Sequence, residues 1–364
     1  MRVRLVSLVC LAGLFCLPVF ANETRGLEAF AESSFRGGPS HRGVYSSSPL
    51  RRLAGAAWKF PTAGPVRSSP TVSEGRVLVG SGDGDLYALD EKTGREIWRF
   101  STGGPVDSSP AVSGETAFFA SRDRNLYAVD ARSGKEKWRF AMGVDAPFSW
   151  GYEWIISSPA VDGRRVLAAG GDGVLSCLSA ESGALLWRFR TGGRLRASPA
   201  VAGQIVYQGS TDGVLYALDE STGKLRWKYE TEGVQNDSEK AGFDRRSIVS
   251  SASVSEGVVT FGSRDAHQYA LDAKTGRFLW RIAHPVAFTK EHAELAWCEG
   301  SPALSESVSY VGSSDGHFVD AVLLECADDS EAMEQAKQLV DGHDVELWQR
   351  ARKIAQFKHK PSSK

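Results

Sequence analysis

Short alternations of apolar and polar residues, separated by turn-forming pairs, fill most of the chain. Between Ser68 and Phe100 the pattern breaks into four pieces: SSPTV, then RVLVGS after the turn SEG, DLYALD after Asp83-Gly84, and REIWRF after EKTG. Each piece alternates and is rich in Val, Leu, Tyr, Phe and Trp, which predicts a strand. Asp-Gly and Thr-Gly supply the positive backbone angles that tight hairpins require. The unit therefore reads as four antiparallel strands in sequence order.

The unit recurs. Ser-Pro stands at Ser69-Pro70, Ser109-Pro110, Ser158-Pro159, Ser198-Pro199 and Ser301-Pro302, with Ser251-Ala252 as the variant. A tryptophan follows 28 positions after Pro70, Pro110, Pro159, Pro199 and Ala252, giving Trp98, Trp138, Trp187, Trp227 and Trp280. Four strands in roughly 40 residues, repeated, are the pattern of a β-propeller blade. The predicted class is all-β: a β-propeller of four-stranded blades, with six repeats visible either as the full ring or as an incomplete larger one, and a small C-terminal α/β appendage.

Ala88–Trp98 (ALDEKTGREIW) recurs as AVDARSGKEKW, CLSAESGALLW, ALDESTGKLRW and ALDAKTGRFLW, ending at Trp138, Trp187, Trp227 and Trp280. This segment resembles the tryptophan-docking motif of the PQQ-repeat, quinoprotein alcohol dehydrogenase-like propellers, in which the indole packs between neighbouring blades. The physics points the same way. A blade cannot bury both faces alone, and a flat indole buries about 150–250 Å², on the order of 4–6 kcal/mol. The tryptophans are accordingly read as structural.

At the front of the array, Trp58-Lys59-Phe60 matches the end of a repeat with none before it. The sixth unit keeps register through Asp315-Gly316, but Ser330 stands where its tryptophan belongs. The strand around Trp58 is therefore expected to complete the last blade, making six docking tryptophans: Trp58, Trp98, Trp138, Trp187, Trp227 and Trp280. Phe35–Pro49 resembles the lead-in of bacterial PQQ-repeat proteins and is expected to lie across the ring. After His317 the character changes: HFVDAVLLEC reads as a strand, Asp328–Val340 as a helix with an acidic first turn, and Val345–Gln349 with Lys353–Phe357 as a hairpin. This tail resembles small β-α-β-β bacterial proteins of unknown function. The expected organisation is a signal peptide over 1–21, an irregular lead-in over 22–53, the propeller over 54–316 and the tail over 317–364.

Function is sought where the repeat varies. The spacing from Trp to the next Ser-Pro (or Ser-Ala) is 12 after Trp58, Trp98 and Trp187, but 21, 25 and 22 after Trp138, Trp227 and Trp280. All three insertions fall in the connection from one blade to the next, hence on one rim, and insertions gathered on one face of a repeat array mark a binding face. Candidate rim residues are Phe148, Trp150, Tyr152 and Trp154 in the first insert, Arg245 and Arg246 in the second, and Phe288, His292 and Trp297 in the third. Exposed aromatics with few polar partners suit a sugar, a peptide or a flat cofactor; capping of the core is the competing use. Just before Ser-Pro, Arg67, Asp107, Arg196 and Glu299 are placed at the channel mouth, either as contacts or as solvated charges.

Composition narrows the class. A formal net charge of −1 over 364 residues offers no electrostatic reason to expect nucleic acid or an acidic membrane as partner. Arg2 and Arg4, the apolar run Leu5–Val19 and Val19-Phe20-Ala21 read as a secretory signal cleaved after Ala21, so a periplasmic or secreted location is expected. No other stretch is long and apolar enough to be a transmembrane segment. Cys177, Cys298 and Cys326 remain after cleavage, with no metal-type spacing. Gly80-Ser-Gly82-Asp-Gly84 lies in a hairpin without a following helix, so it is no dinucleotide loop. The recurring aspartates are turn formers, and the seven histidines lack metal-ligand spacing.

The resemblance implies two functions. PQQ-dependent dehydrogenases oxidising an alcohol or sugar hold PQQ with calcium and a vicinal cysteine pair. This chain has no Cys-Cys pair, and no calcium-ligand set or catalytic aspartate can be matched. The closer similarity is to non-catalytic envelope propellers of the outer-membrane assembly type. The expectation is a monomeric binding or scaffold module for a protein, peptide or small-molecule ligand, with no catalytic residues, metal or cofactor. PQQ with calcium is the alternative.

Overall fold

The computed structural model describes residues 2–5, 32–33, 35–42, 56–147, 156–241, 244–283, 302–305, 308–312, 318–325, 345–349 and 352–357. Within these, each repeat forms an antiparallel sheet whose strands follow in chain order. Blade 1 comprises Thr71–Ser73, Arg76–Gly80, Asp85–Asp90 and Glu96–Ser101. Blade 2 runs from Ala111 to Ala141, blade 3 from Ala160 to Arg190, blade 4 from Ala200 to Glu230 and blade 5 from Ser253 to Ala283. The first strands of successive blades touch one another, so they are the innermost. The expected propeller of four-stranded blades is thus present.

In blades 1, 4 and 5 the hairpin between first and second strands has two central residues with positive φ, as in Glu74 at 47° and Gly75 at 74°. That is the turn whose twist matches the strands it joins. These turns lie on one side of the propeller, here the hairpin face. The connections between blades run on the opposite, connecting face. There, each rests on the turn between the second and third strands of the next blade, as in Gly82 N–H to Pro65 O (2.8 Å) and Arg122 N–H to Pro105 O (2.9 Å).

The tryptophans sit where the blades meet. In each blade the indole stands opposite a small residue across the strand pair: Ala88–Trp98, Ala128–Trp138, Cys177–Trp187, Ala217–Trp227 and Ala270–Trp280. The indole N–H of Trp98 reaches the next blade at Ala131 O (3.2 Å), Trp138 reaches Ala180 O (3.1 Å), Trp187 reaches Glu220 O (2.8 Å) and Trp227 reaches Ala273 O (3.2 Å). The ring face covers a turn glycine at positive φ. A Cβ on Gly134 would meet the Trp98 ring at 2.7 Å, and one on Gly223 would meet Trp187 at 2.5 Å. Glycine is therefore needed twice at these turns, for the left-handed backbone and for the approach of the indole.

A second blade-to-blade link explains the Ser-Pro repeat. The backbone N–H of Ser69 donates to Ser109 Oγ (2.8 Å), Ser109 to Ser158 (2.9 Å), Ser158 to Ser198 (3.0 Å) and Ser198 to Ser251 (2.9 Å). These bonds form a belt around the axis. Proline follows at the start of an inner edge strand, a place where a missing N–H costs the ladder nothing. Ser158→Ala removes the acceptor of a buried N–H, and an unmet buried donor costs about 1–3 kcal/mol. The expected result is a loss of that size in urea denaturation without a change in far-UV circular dichroism.

One expectation about the ends needs correction. The strand around Trp58 was expected to complete the last blade. Residues 56–60 form no strand; Trp58 instead docks its indole on Gly94 of blade 1, with its N–H on Glu91 O (2.9 Å). Docking needs only the turn glycine and a carbonyl, not strand pairing, so a motif end can dock without closing a sheet. The sixth sheet has the order Ala303–Ser305, Val308–Gly312, Phe318–Glu325, Arg2–Leu5, Val345–Gln349, Arg352–Phe357. Its fourth place is held by Arg2–Leu5, part of the segment assigned above to a leader. Phe318–Glu325 and the hairpin Val345–Gln349 with Arg352–Phe357 join the same sheet. The helix expected over Asp328–Val340 lies outside the described residues.

The lead-in crosses the inner edges of three blades. Glu32–Ser33 pairs with Val112–Ser113 of blade 2. Val201 N–H of blade 4 donates to Pro39 O (2.7 Å), and Val254 N–H of blade 5 donates to Ser40 O (3.0 Å). Ser253 Oγ donates to His41 O (2.8 Å), and His41 Nδ1 lies 3.2 Å from Ala252 O. Val112, Val201 and Val254 hold the same place in their inner strands, so the lead-in supplies partners to edges that would otherwise face the axis. His41 is buried, and desolvation together with the nearby Arg36 charge lowers its pKa to about 4.

Candidate ligand-binding cleft on the connecting face

Five of the proposed site residues besides the docked tryptophans are described on the connecting face: Arg67, Asp107, Arg196, Arg245 and Arg246. Asp107 is buried and held between Arg67 (3.6 Å) and Arg122 (2.7 Å). Arg196 Nη2 binds Asp145 Oδ2 at 2.7 Å, and Arg194 Nη1 approaches the same oxygen at 3.9 Å. Arg67 and Asp107 therefore pair across blades 1 and 2, while Arg196 is engaged with the first insert.

These pairs border a cleft of about 280 Å³ between blades 2 and 3. Arg122, Arg124, Arg194, Arg196 and Asp145 carry its charge, and Met142, Val144 and Ile156 its apolar wall. Arg194 and Arg196 are nearly buried, whereas Asp145 is 43% exposed. Arg124 is exposed and has no ion-pair partner among the described residues. Four guanidinium groups thus line the cleft; Asp145 pairs with Arg194 and Arg196, and Asp107 beside the cleft pairs with Arg122. The neighbouring turn acid, Asp123, does not alter this count in the cleft: burial raises its pKa, but hydrogen bonds from Tyr127 Oη, Gly103 N–H and Asn125 hold the carboxyl below the usual range. It is committed to the turn, bonding Tyr127 at 2.6 Å and Gly103 N–H at 2.9 Å.

Arg122, Arg124, Arg194 and Asp145 were not singled out in the sequence. A signal was present in the repeat itself. Arg124 stands at φ 69° where blades 1, 3 and 4 carry Gly84, Gly173 and Gly213. Arg122 replaces Gly82, Gly171 and Thr211, and Arg194 replaces Pro65 and Pro105. A non-glycine residue kept in the left-handed region costs on the order of 1 kcal/mol or more, and such positions cluster at functional sites.

Arg245 and Arg246 lie apart, in the connection from blade 4 to blade 5. A 3-10 turn at Glu232–Gln235 and a short helix at Ser238–Ala241 shape this insert. Arg246 Nη2 lies 3.5 Å from Asn236 O, and Asp244 caps the N–H groups of Arg246 and Ser247 while pairing with buried Arg264 at 3.1 Å. Phe148, Trp150, Tyr152, Trp154, Phe288, His292, Trp297 and Glu299 lie outside the described residues, as do Cys298 and Cys326. Cys177 is a buried thiol opposite Trp187, and desolvation pushes its pKa up to about 12. It is expected to stay unmodified by a thiol reagent in the native chain and to react on unfolding, as mass spectrometry would record.

Among the described residues, no group of three or more His, Cys, Asp or Glu side chains converges as a cation site, and the cleft lining includes no indole. Also among the described residues, no helix is long and apolar enough to cross a membrane.

Solved structures share the fold. BamB from Moraxella catarrhalis is 19% identical with a TM-score of 0.60, over 92% of this chain and 86% of that one. Quinohemoprotein alcohol dehydrogenase ADHIIG from Pseudomonas putida HK5 is 17% identical with a TM-score of 0.61, over 77% of this chain. The quinohemoprotein alcohol dehydrogenase of Comamonas testosteroni is 16% identical with a TM-score of 0.61. The chain spans 56% and 57% of those two dehydrogenases. No curated protein sequence matches. The family model described as outer membrane protein assembly factor BamB matches residues 52–150 and 148–324, the whole repeat array, and the chain belongs to that PQQ-repeat propeller family.

Proposed function

We propose that this chain is an exported, non-enzymatic binding module of the bacterial envelope, acting as a monomer and engaging a protein partner through its connecting face. The observation that carries this reading is an asymmetry between the two faces. The hairpin face has two-residue turns between the first and second strands of blades 1 to 5, while the described parts of the lengthened connections after Trp138 and Trp227 and the arginine cleft share the other face. Family membership and the likeness to a BamB structure support a scaffold role over chemistry. The same kinship supports a periplasmic location.

The test is to shorten the three inserts to the 12-residue spacing found after Trp98 and Trp187. In native envelopes, chemical cross-linking and purification should recover a defined partner with the full chain and not with the shortened one, with far-UV circular dichroism unchanged. Equal recovery from both would contradict the reading. Addition of PQQ and calcium is expected to yield no dye-linked oxidation of alcohols or sugars; activity in that assay would favour the dehydrogenase alternative.

A further inference from the structure

The described start of the first insert forms one wall of the cleft between blades 2 and 3 and places a carboxylate on its arginines. Residues 143–147 lie against blade 3 without secondary structure. Ala146 N–H donates to Gly171 O (2.9 Å), Arg194 Nε donates to Ala146 O, and Asp145 places its carboxylate on Arg196 at 2.7 Å. This is a non-regular acidic segment held by one carboxylate–guanidinium pair and two main-chain hydrogen bonds.

Among the described residues, the four arginines of the cleft outnumber the two carboxylates that pair with them. Asp145 is shared between Arg194 and Arg196, and on the opposite wall Arg122 is tied to Asp107. Arg124 has no carboxylate among the described residues. It is also the side chain held at a backbone angle that three other blades give to glycine. Nothing in the turn requires an arginine there: glycine makes the same turn in blades 1, 3 and 4. Charge complementarity therefore selects the occupant. An arginine fork binds carboxylates with paired hydrogen bonds, which an ammonium cannot do, and a cleft lined by one sign of charge concentrates ligands of the other.

We infer that the cleft between blades 2 and 3 recognises carboxylates, and that it receives an acidic, extended segment of the partner protein beside residues 143–147, with Arg124 as its principal contact. The inference rests on the connecting-face reading above and names the chemistry of the partner.

The experiment uses the full chain and a fluorescein-labelled hexaglutamate peptide, followed by fluorescence anisotropy at low ionic strength. The wild type is expected to bind hexaglutamate, not hexalysine, with affinity falling as salt screens the charges. Arg124→Gly restores the residue that the other blades use, so it is expected to raise the unfolding midpoint while weakening binding about tenfold, the loss of one charge-assisted contact. Arg124→Lys keeps the charge without the fork and is expected to fall between. Arg164→Ala, on the hairpin face, controls for net charge and is expected to bind as the wild type does. Failure of the wild type to bind hexaglutamate, unchanged affinity in Arg124→Gly, or an equal loss in Arg164→Ala would each overturn the inference. If any of these occurs while shortening the inserts still removes the partner, only the carboxylate assignment falls.

Discussion

Trp187→Ala is expected to destabilise the chain by about 3–5 kcal/mol, the range for removing a large buried aromatic. The indole is buried, covers Gly223 of the next blade and bonds Glu220 O at 2.8 Å. Its loss opens a gap between blades 3 and 4 and leaves a carbonyl unmet. Gly223→Ala attacks the same contact from the other side. A methyl there meets the Trp187 ring at 2.5 Å and sits at φ 68°, so the indole must leave. Because both substitutions remove one contact, their costs should not add. In the Trp187→Ala background, Gly223→Ala is expected to cost only its backbone term, about 1–2 kcal/mol. Urea midpoints of the four chains measure this directly. Costs that add fully would mean that the indole and the glycine are independent.

Acid is expected to release the lead-in. Buried His41 has a pKa near 4, against 6.5 when solvated. The undocked chain therefore binds the proton more tightly than the docked one, and docking free energy is full above pH 6.5 and falls as pH drops toward 4. A shift of that size corresponds to about 3 kcal/mol across the window, and to about 2 kcal/mol at pH 5. The amides of Val201 and Val254 report the event, since they donate to Pro39 O and Ser40 O. Their hydrogen-exchange protection, corrected for intrinsic rates, is expected to fall between pH 7 and pH 5 in the wild type. In His41→Gln it should not depend on pH over that range. Protection that stays constant in the wild type would show that protonation of His41 is not coupled to docking.

The two ways of linking blades differed in how readable they were. The indole contact was legible because its parts lie close in one motif: a small residue, a turn glycine and a tryptophan at fixed offsets, as in Ala128, Gly134 and Trp138. The serine belt was visible only as a repeat. Its bond joins Ser109 to Ser158 across 49 residues, and no local pattern reveals a partner so far away. Trp58 misled because a docking indole and a sheet-closing strand share one sequence ending. The arginine cleft was missed for a different reason. Arg124 is unremarkable alone, and its meaning comes from comparison with Gly84, Gly173 and Gly213 in the sister turns. The alternation of Phe148, Trp150, Tyr152 and Trp154 stands out in the composition, whereas the charge is assembled by the fold from one turn and two connections.

The most direct measurement places a photo-activated cross-linking residue at Val144, exposed on the connecting face, and separately at Glu74, exposed on the hairpin face. Both chains would be irradiated in native envelopes. A single partner adduct from position 144, with none from position 74, is the expected result. The same adduct from both positions in equal yield, or from position 74 alone, would contradict binding through the face that carries the inserts and the arginines.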